Sequence, residues 1–290
     1  MAHLHRIRGA SNGGPCLLNR QSKVGHAHPT TTKRVIKMST PEILTESQDG
    51  TLLIRIYRPD RKNALTVAMY TGLTAALDAA TQNPDIRAVV LTGSGDSFTS
   101  GNDIADFLAN PPSGDESPVF QFLAALRQFP KPLIAAVNGV AVGIGVTLLL
   151  HCDLVYVRAG ATLALPFVNL GLCPEAGSSL LLPRLIGYPR AAELLLLGEP
   201  FSAEQALEWG LINGLCADAE ATLELALTKA RRLAGLPATA VQLSKALLKR
   251  TEAEVVRETI AVESRHFIEL LDSPEAAAAL QAFANRRRVG

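Results

Sequence analysis

The hydrophobic pattern of the chain predicts an α/β protein with parallel-paired core strands and a helical C-terminal region. Three observations support this reading. Short apolar runs at 88–92, 133–137 and 154–157 read as buried strands and alternate with helical stretches, the order that builds a parallel sheet. Beyond Pro183 the strand patterns stop and only helical periodicity remains. The chain has 290 residues, 48% hydrophobic and 19% charged, enough to bury a sizeable core as one large domain or two.

In chain order, residues 43–48 and 51–57 alternate apolar and polar side chains about Asp49-Gly50, which predicts a β-hairpin. The polar loop RPDRKNALTV leads into a helix over 67–82, and a strand follows at 88–92. A helix over 117–129 ends before Pro130-Lys131-Pro132. Next come a strand at 133–137, a very apolar helix over 144–152 and a strand at 154–157. Glu175, after a proline and before AGSSLLL, is placed in the first turn of an apolar helix. The later helices fall near 188–197, 202–209, 219–233, 238–250, 252–271 and 273–286, with Ser202 and Gln205 spaced as a capping box. Three segments result: a disordered leader or tail over 1–37, an α/β core over 38–187 and a helical region over 188–290.

Charge and composition exclude several classes. Seven of the 28 Lys and Arg residues lie within residues 1–37, which hold no Asp or Glu, so the other 253 residues carry 21 basic and 27 acidic groups. A mildly acidic body argues against a nucleic-acid surface. The leader holds four of the six histidines without sustained periodicity, hence the expectation of disorder. Its composition also fits a mitochondrial transit segment, whereas Met38 as the natural start leaves a cytoplasmic protein, the location we expect. Gly9-Ala10-Ser11-Asn12-Gly13 matches the hydrolase nucleophile pattern only formally, since no strand precedes it and no helix follows. Cys16, Cys152, Cys173 and Cys216 lie far apart with no CxxC pair, which suggests reduced intracellular thiols. Apolar runs such as 180–182 and 194–197 are too short to cross a bilayer, and no HExxH or solenoid repeat occurs. Neither a membrane span nor a metal site is expected.

Candidate chemistry concentrates at three places. Gly93-Ser94-Gly95-Asp96-Ser97-Phe98 follows a strand but has Phe where a dinucleotide fingerprint needs its third glycine. The run Phe98-Thr99-Ser100-Gly101-Asn102-Asp103-Ile104 and the later Gly139-Val140-Ala141-Val142-Gly143-Ile144 both lead into helix starts, whose free backbone N–H groups suit an oxyanion. The third is Glu175, set among Leu, Phe, Val and Cys. An acid at a helix start is also stabilised by the helix dipole with no chemistry involved. As a general base it would have its proton affinity raised by apolar walls and lowered by the helix end.

The segments FTSGNDI, KPLIAAVNGVAVGIGVTLLLHCDLVYV and PFVNLGLCPEAGSSLLLP, in this order, resemble the enoyl-CoA hydratase/isomerase superfamily, the crotonases, over residues 41–286. PFVNLGLCPEAG is similar to the Δ3,Δ2-enoyl-CoA isomerases of the peroxisomal type and their bacterial relatives. The resemblance implies a spiral of ββα turns with a C-terminal helical trimerisation region, assembled as a homotrimer or dimer of trimers. It implies an acyl-CoA thioester substrate and no separate cofactor, coenzyme A being part of the substrate. The two backbone donors fall on Asn102 and Ile144, flanked by Ser100, Gly101, Asp103 and Ile104. The loop with Lys62, Ala64 and Leu65 matches the segment lining the coenzyme A path, where a basic side chain suits phosphate or is simply solvated.

Departures from the family pattern narrow the reaction. Hydratases place glutamates at the positions of Thr147 and Phe167, and neither residue here can activate water. The isomerases use one glutamate, at the position of Glu175. Phe167 and Leu172 would then exclude water, although both fit an ordinary core role as well. Three functions follow: an acyl-CoA double-bond isomerase, a hydratase or other enolate-stabilising enzyme using Glu175 or Asp103, and a silent acyl-CoA binder.

Overall fold

The computed structural model describes the backbone of residues 34–37 and 41–289 and the side chains of residues 41–282. Residues 1–33, most of the expected leader, lie outside the described residues. The leader's last four residues, Arg34–Lys37, form strand β1, which pairs antiparallel with β2 (Ile43–Gln48). β2 and β3 (Thr51–Ile56) form the expected hairpin, with Asp49 and Gly50 at φ 51° and 73°. Positive φ at both central residues is what a two-residue turn needs to follow the strand twist. α1 (Val67–Gln82) begins at Thr66, whose hydroxyl accepts from the Met69 N–H, and buries Met69, Tyr70, Leu73, Ala76, Leu77 and Ala80 along one face.

Three strand-strand-helix turns follow. The first is β4 (Ala88–Gly93), β5 (Ser97–Thr99), α2 (Ile104–Ala109) and α3 (Pro118–Gln128). The second is β6 (Leu133–Val137), β7 (Val140–Val142) and the single turn α4 (Ile144–Thr147). The third is β8 (Leu154–Arg158), β9 (Thr162–Ala164), α5 (Ser178–Ile186) and α6 (Tyr188–Leu197). The remainder comprises β10 (Phe201–Ser202), α7 (Ala203–Glu208), β11 (Gly214–Cys216), α8 (Ala219–Ala234), α9 (Ala238–Arg250), α10 (Ala253–Leu271) and α11 (Pro274–Val289). First strands of each turn join a sheet ordered β1-β2-β3-β4-β6-β8-β11, parallel from β3 onward, and second strands join a smaller sheet ordered β10-β9-β7-β5. This is the spiral of ββα turns.

The large sheet is covered on both faces, so its central strands are apolar throughout rather than alternating. Val89, Leu91, Leu133, Ala135 and Val137 join the cluster containing α1 and α3 side chains. Ala88, Val90, Ile134 and Ala136 point the other way, onto Ala226 and Ala230 of α8. α8 returns from the C-terminal third to close this second face.

Some expectations change. Strands do not stop at Pro183: β10 extends the small sheet and β11 adds a parallel edge to β8. Two or three residues give no readable period-2 pattern, which also hid β5, β7 and β9. The helix expected over 144–152 is one α turn followed by a 3-10 turn at Leu148–His151. The capping box forms as expected, Ser202 accepting from the Gln205 N–H and Gln205 from the Ser202 N–H. Among the described residues, no helix is long and apolar enough to cross a membrane.

Candidate active site

The second strand of each turn ends where the chain swings into a helix, and two of these ends face one cavity. At the first, Gly101 has φ 89°, and an added Cβ would lie 3.1 Å from the Val142 carbonyl oxygen. Glycine therefore lets the β5–α2 turn lie against β7. The peptide is held by Leu65, whose N–H donates to Gly101 O at 2.8 Å and whose carbonyl accepts from Asp103 N at 2.8 Å. Asn102 lies between these bonds, and no described residue accepts from its own N–H. At the second, Gly143, at φ 56° and ψ −118°, precedes α4 and donates to Ala164 O at 2.9 Å. Ile144 is then the first residue of α4, its N–H equally free of acceptors among the described residues.

The cavity has a volume of about 300 Å³, at the small end for ligand sites. Ser100, Gly101, Asn102, Ile104, Ile144, Phe167, Leu172 and Glu175 all line it. Glu175 is the one carboxylate among its described lining residues. Sequence reasoning missed its apolar walls from α1, α2, α3, α10 and α11, among them Tyr70, Phe107, Phe120, Leu123, Phe267 and Leu280. These residues repeat at helical spacing and read as ordinary core. Only the tertiary packing leaves space between them.

Four expected site residues line other ground. Lys62, at φ 50°, caps a 3-10 turn and offers its carbonyl to the Ser100 N–H at 2.9 Å; it is exposed and not among the residues lining the cavity. Ala64 and Leu65 are buried backbone supports, Ala64 O accepting from Arg58 at 2.9 Å. The Asp103 carboxylate turns from the cavity to cap α2, accepting from Ala105 N and Asp106 N at 3.1 and 3.2 Å, and pairs with Arg58 at 2.7 Å. Burial raises its proton affinity, but the Arg58 guanidinium and the α2 N–H groups outweigh this and hold the carboxyl below its ordinary value. The Asp103 carboxylate is thereby engaged in structural contacts, and Asp103 is not among the residues lining the cavity.

Glu175 is not in the first turn of a helix: α5 begins at Ser178, and Glu175 sits in the turn before it. Ala176 and Gly177 both take left-handed backbone, φ 59° and 75°, a conformation unfavourable for alanine. Long-range contacts hold it. His151 Nε2 lies 2.7 Å from Ala176 O, and since burial lowers the His151 pKa to about 4 the ring is neutral and donates through Nε2–H. Glu263 of α10 accepts from Gly177 N at 2.6 Å. The Thr147 hydroxyl donates to Glu175 Oε1. Thr147 is thus the partner of the carboxylate.

The remaining surface of Glu175 opens onto the cavity. Burial pushes its carboxyl up to about 8, opposed by the Thr147 hydrogen bond and reinforced by the Glu263 charge. Tyr70, whose hydroxyl donates to Asn102 Oδ1 at 2.5 Å, is likewise raised well above the ordinary phenol value by burial and then by Glu175, so it remains a donor.

A spiral of ββα turns, with Asn102, Ile144 and a single described carboxylate lining one cavity, is the architecture of a crotonase-type protein. The Enoyl-CoA hydratase/isomerase family matches residues 46–289. The chain belongs to that family. It is 37% identical over 228 residues to Enoyl-CoA delta isomerase 2 of Homo sapiens, covering 76% of this chain and 57% of that one, so it spans little more than half of that relative. It is 33% identical over 249 residues to 2,3-dehydroadipyl-CoA hydratase of Escherichia coli, covering 85% of this chain and 96% of that one. The solved structure of Pseudomonas aeruginosa OdaA superposes with TM-score 0.82 at 53% identity, covering 84% of this chain and 99% of that one.

Proposed function

We propose that the protein is an acyl-CoA isomerase that moves a carbon–carbon double bond from position 3 to position 2 of the acyl chain. One observation carries this reading: Glu175 is the one carboxylate among the described cavity-lining residues, and the family resemblance puts Thr147 and Phe167 where hydratases have their water-activating glutamates. The thioester oxygen sits between the N–H groups of Asn102 and Ile144. Glu175 takes the C2 proton, and the electron pair delocalises through a dienolate onto that oxygen. Each donor contributes about 3 kcal/mol to such an intermediate. The protonated Glu175 returns the proton to C4, the double bond forms between C2 and C3, and the base is regenerated. The walls from Phe107, Phe120, Phe167 and Phe267 exclude water, which disfavours hydration of the product.

The test is turnover of 3-enoyl-CoA and 2-enoyl-CoA by the unmodified protein and by Glu175→Gln. Isomerisation should fall by about 10² to 10⁴ in the variant, the worth of a positioned base, with acyl-CoA binding nearly unchanged. Faster hydration of 2-enoyl-CoA than isomerisation of 3-enoyl-CoA by the unmodified protein would favour the hydratase reading. Full activity of Glu175→Gln would remove Glu175 from the reaction.

A further inference from the structure

α5 begins at Ser178, three residues after Glu175, but has no capping side chain of its own, its N-cap being Gly177. A carboxylate from another helix takes that place. Glu263 of α10, 6% exposed, accepts from Gly177 N at 2.6 Å through one oxygen and from Ser179 N at 3.0 Å and Ser179 Oγ at 2.5 Å through the other. A buried carboxylate with both oxygens engaged, 86 residues away in sequence from the turn it holds, does more than end a helix. We propose that Glu263 is a positioning residue for the base: it fixes the Glu175–Gly177 turn, and its negative charge cancels the positive end of α5 beside Glu175. This inference rests on Glu175 as the base proposed above.

The first N–H groups of a helix amount to roughly half a positive charge, which stabilises a nearby carboxylate and makes it a weaker base. Glu263 consumes two of these donors and adds a negative charge of its own. Among the described residues, other elements around Glu175 offer no positive charge: α1 presents Tyr70, α4 presents Thr147, the 3-10 turn at Leu148–His151 presents a neutral His151 behind Ala176, and its own loop presents the Cys173 thiol. Around Glu263 stand Ser179, Cys173 and, on α10 itself, the exposed His266–Glu269 pair. Among the described residues Glu263 is the charged group that acts on the base, after burial and the Thr147 hydrogen bond; burial raises its own carboxyl as well, opposed by the Ser179 and Gly177 hydrogen bonds. Its effect agrees with the upward shift of Glu175.

The experiment is a pH titration of the Glu175 carboxylic acid C=O stretch by infrared spectroscopy, assigned as the band lost in Glu175→Gln, alongside the pH profile of kcat/KM with 3-enoyl-CoA. In Glu263→Gln the midpoint should move to lower pH by about one unit, and activity above the midpoint should fall as the base weakens. Ser179→Ala removes a hydrogen bond but keeps the charge, so its midpoint should match the unmodified protein. An unchanged midpoint in Glu263→Gln, or an equal shift in Ser179→Ala, overturns the proposal. Should Glu263→Gln not fold, the Glu175→Gln protein decides: a second protonated carboxyl at pH 7, assigned to Glu263, overturns it, and a Glu263 that is ionised there supports it. Absence of isomerase turnover in the unmodified protein would remove the proposed reaction while leaving the infrared titration able to decide the role of Glu263.

Discussion

At Glu175 a single ionisation links stability and activity in opposite directions. Its folded pKa of about 8 exceeds its ordinary value of 4.5, so the folded protein binds this proton more tightly than the unfolded chain does. The resulting stability is fully present below about pH 4.5 and is lost as pH rises through about 8. Glu175→Gln removes this loss, so between pH 5 and pH 9 the unmodified protein should fall in stability relative to the variant by a few kcal/mol. Urea unfolding of both proteins at the two pH values measures this, and parallel behaviour would show that the carboxyl is not buried as described. Activity runs the other way. The base must be ionised, so kcat/KM should climb with pH to a plateau with a midpoint near 8.

The short helix α2 shows how one element positions a donor without touching substrate. Six residues cannot hold a helix in water on their own, and α2 relies on the Asp103 cap and the Arg58 pair, whose side chains are 16% and 22% exposed. Asp103→Ala strips two N–H groups of their acceptor and leaves a half-buried guanidinium unpaired, for a loss of about 2 kcal/mol. Asp103→Asn keeps the cap and should lose less. Because the neighbouring peptide carries the Asn102 N–H, the alanine variant should lower kcat more than it raises KM. Denaturant midpoints and steady-state kinetics test both statements, and a pure KM effect would contradict them. The pair's stabilisation should also fade in acid, as pH drops through the lowered Asp103 pKa.

Across the molecule, exposed apolar side chains gather on the C-terminal helices. Tyr188, Leu196 and Leu197 of α6 are 73%, 68% and 52% exposed, and Leu243, Leu247 and Leu248 of α9 are 57%, 58% and 86% exposed. Leucines repeated along helix faces mark association surfaces more often than isolated ones do. We expect a homotrimer or a dimer of trimers, and light scattering at micromolar concentration should give a mass three or six times that of the chain. A monomer would contradict this. The cavity does not wait for a neighbour to be covered: Phe267, Ala279 and Leu280 of the same chain line it. Gly171, at φ 69°, permits this closure, since a Cβ there would lie 2.8 Å from the backbone of Ala276 in α11.

The hairpin, α1, α3 and the later helices are legible in the amino-acid sequence by itself, through periodicity and punctuation, because local spacing fixes which face of a long element is apolar. The two glycine turns and Glu175 are readable too, since unusual backbone and an isolated acid leave marks in the sequence. The second sheet is not readable, because strands of two or three residues carry no period and exist only through their neighbours. Nor is the difference between Asp103, turned to Arg58 and the α2 cap, and Glu175, turned into the cavity, for both are acids near a helix start. Tyr70, His151 and Glu263 come from three distant parts of the chain. Their convergence on one turn and one cavity depends on contacts across tens of residues, which a linear pattern does not encode.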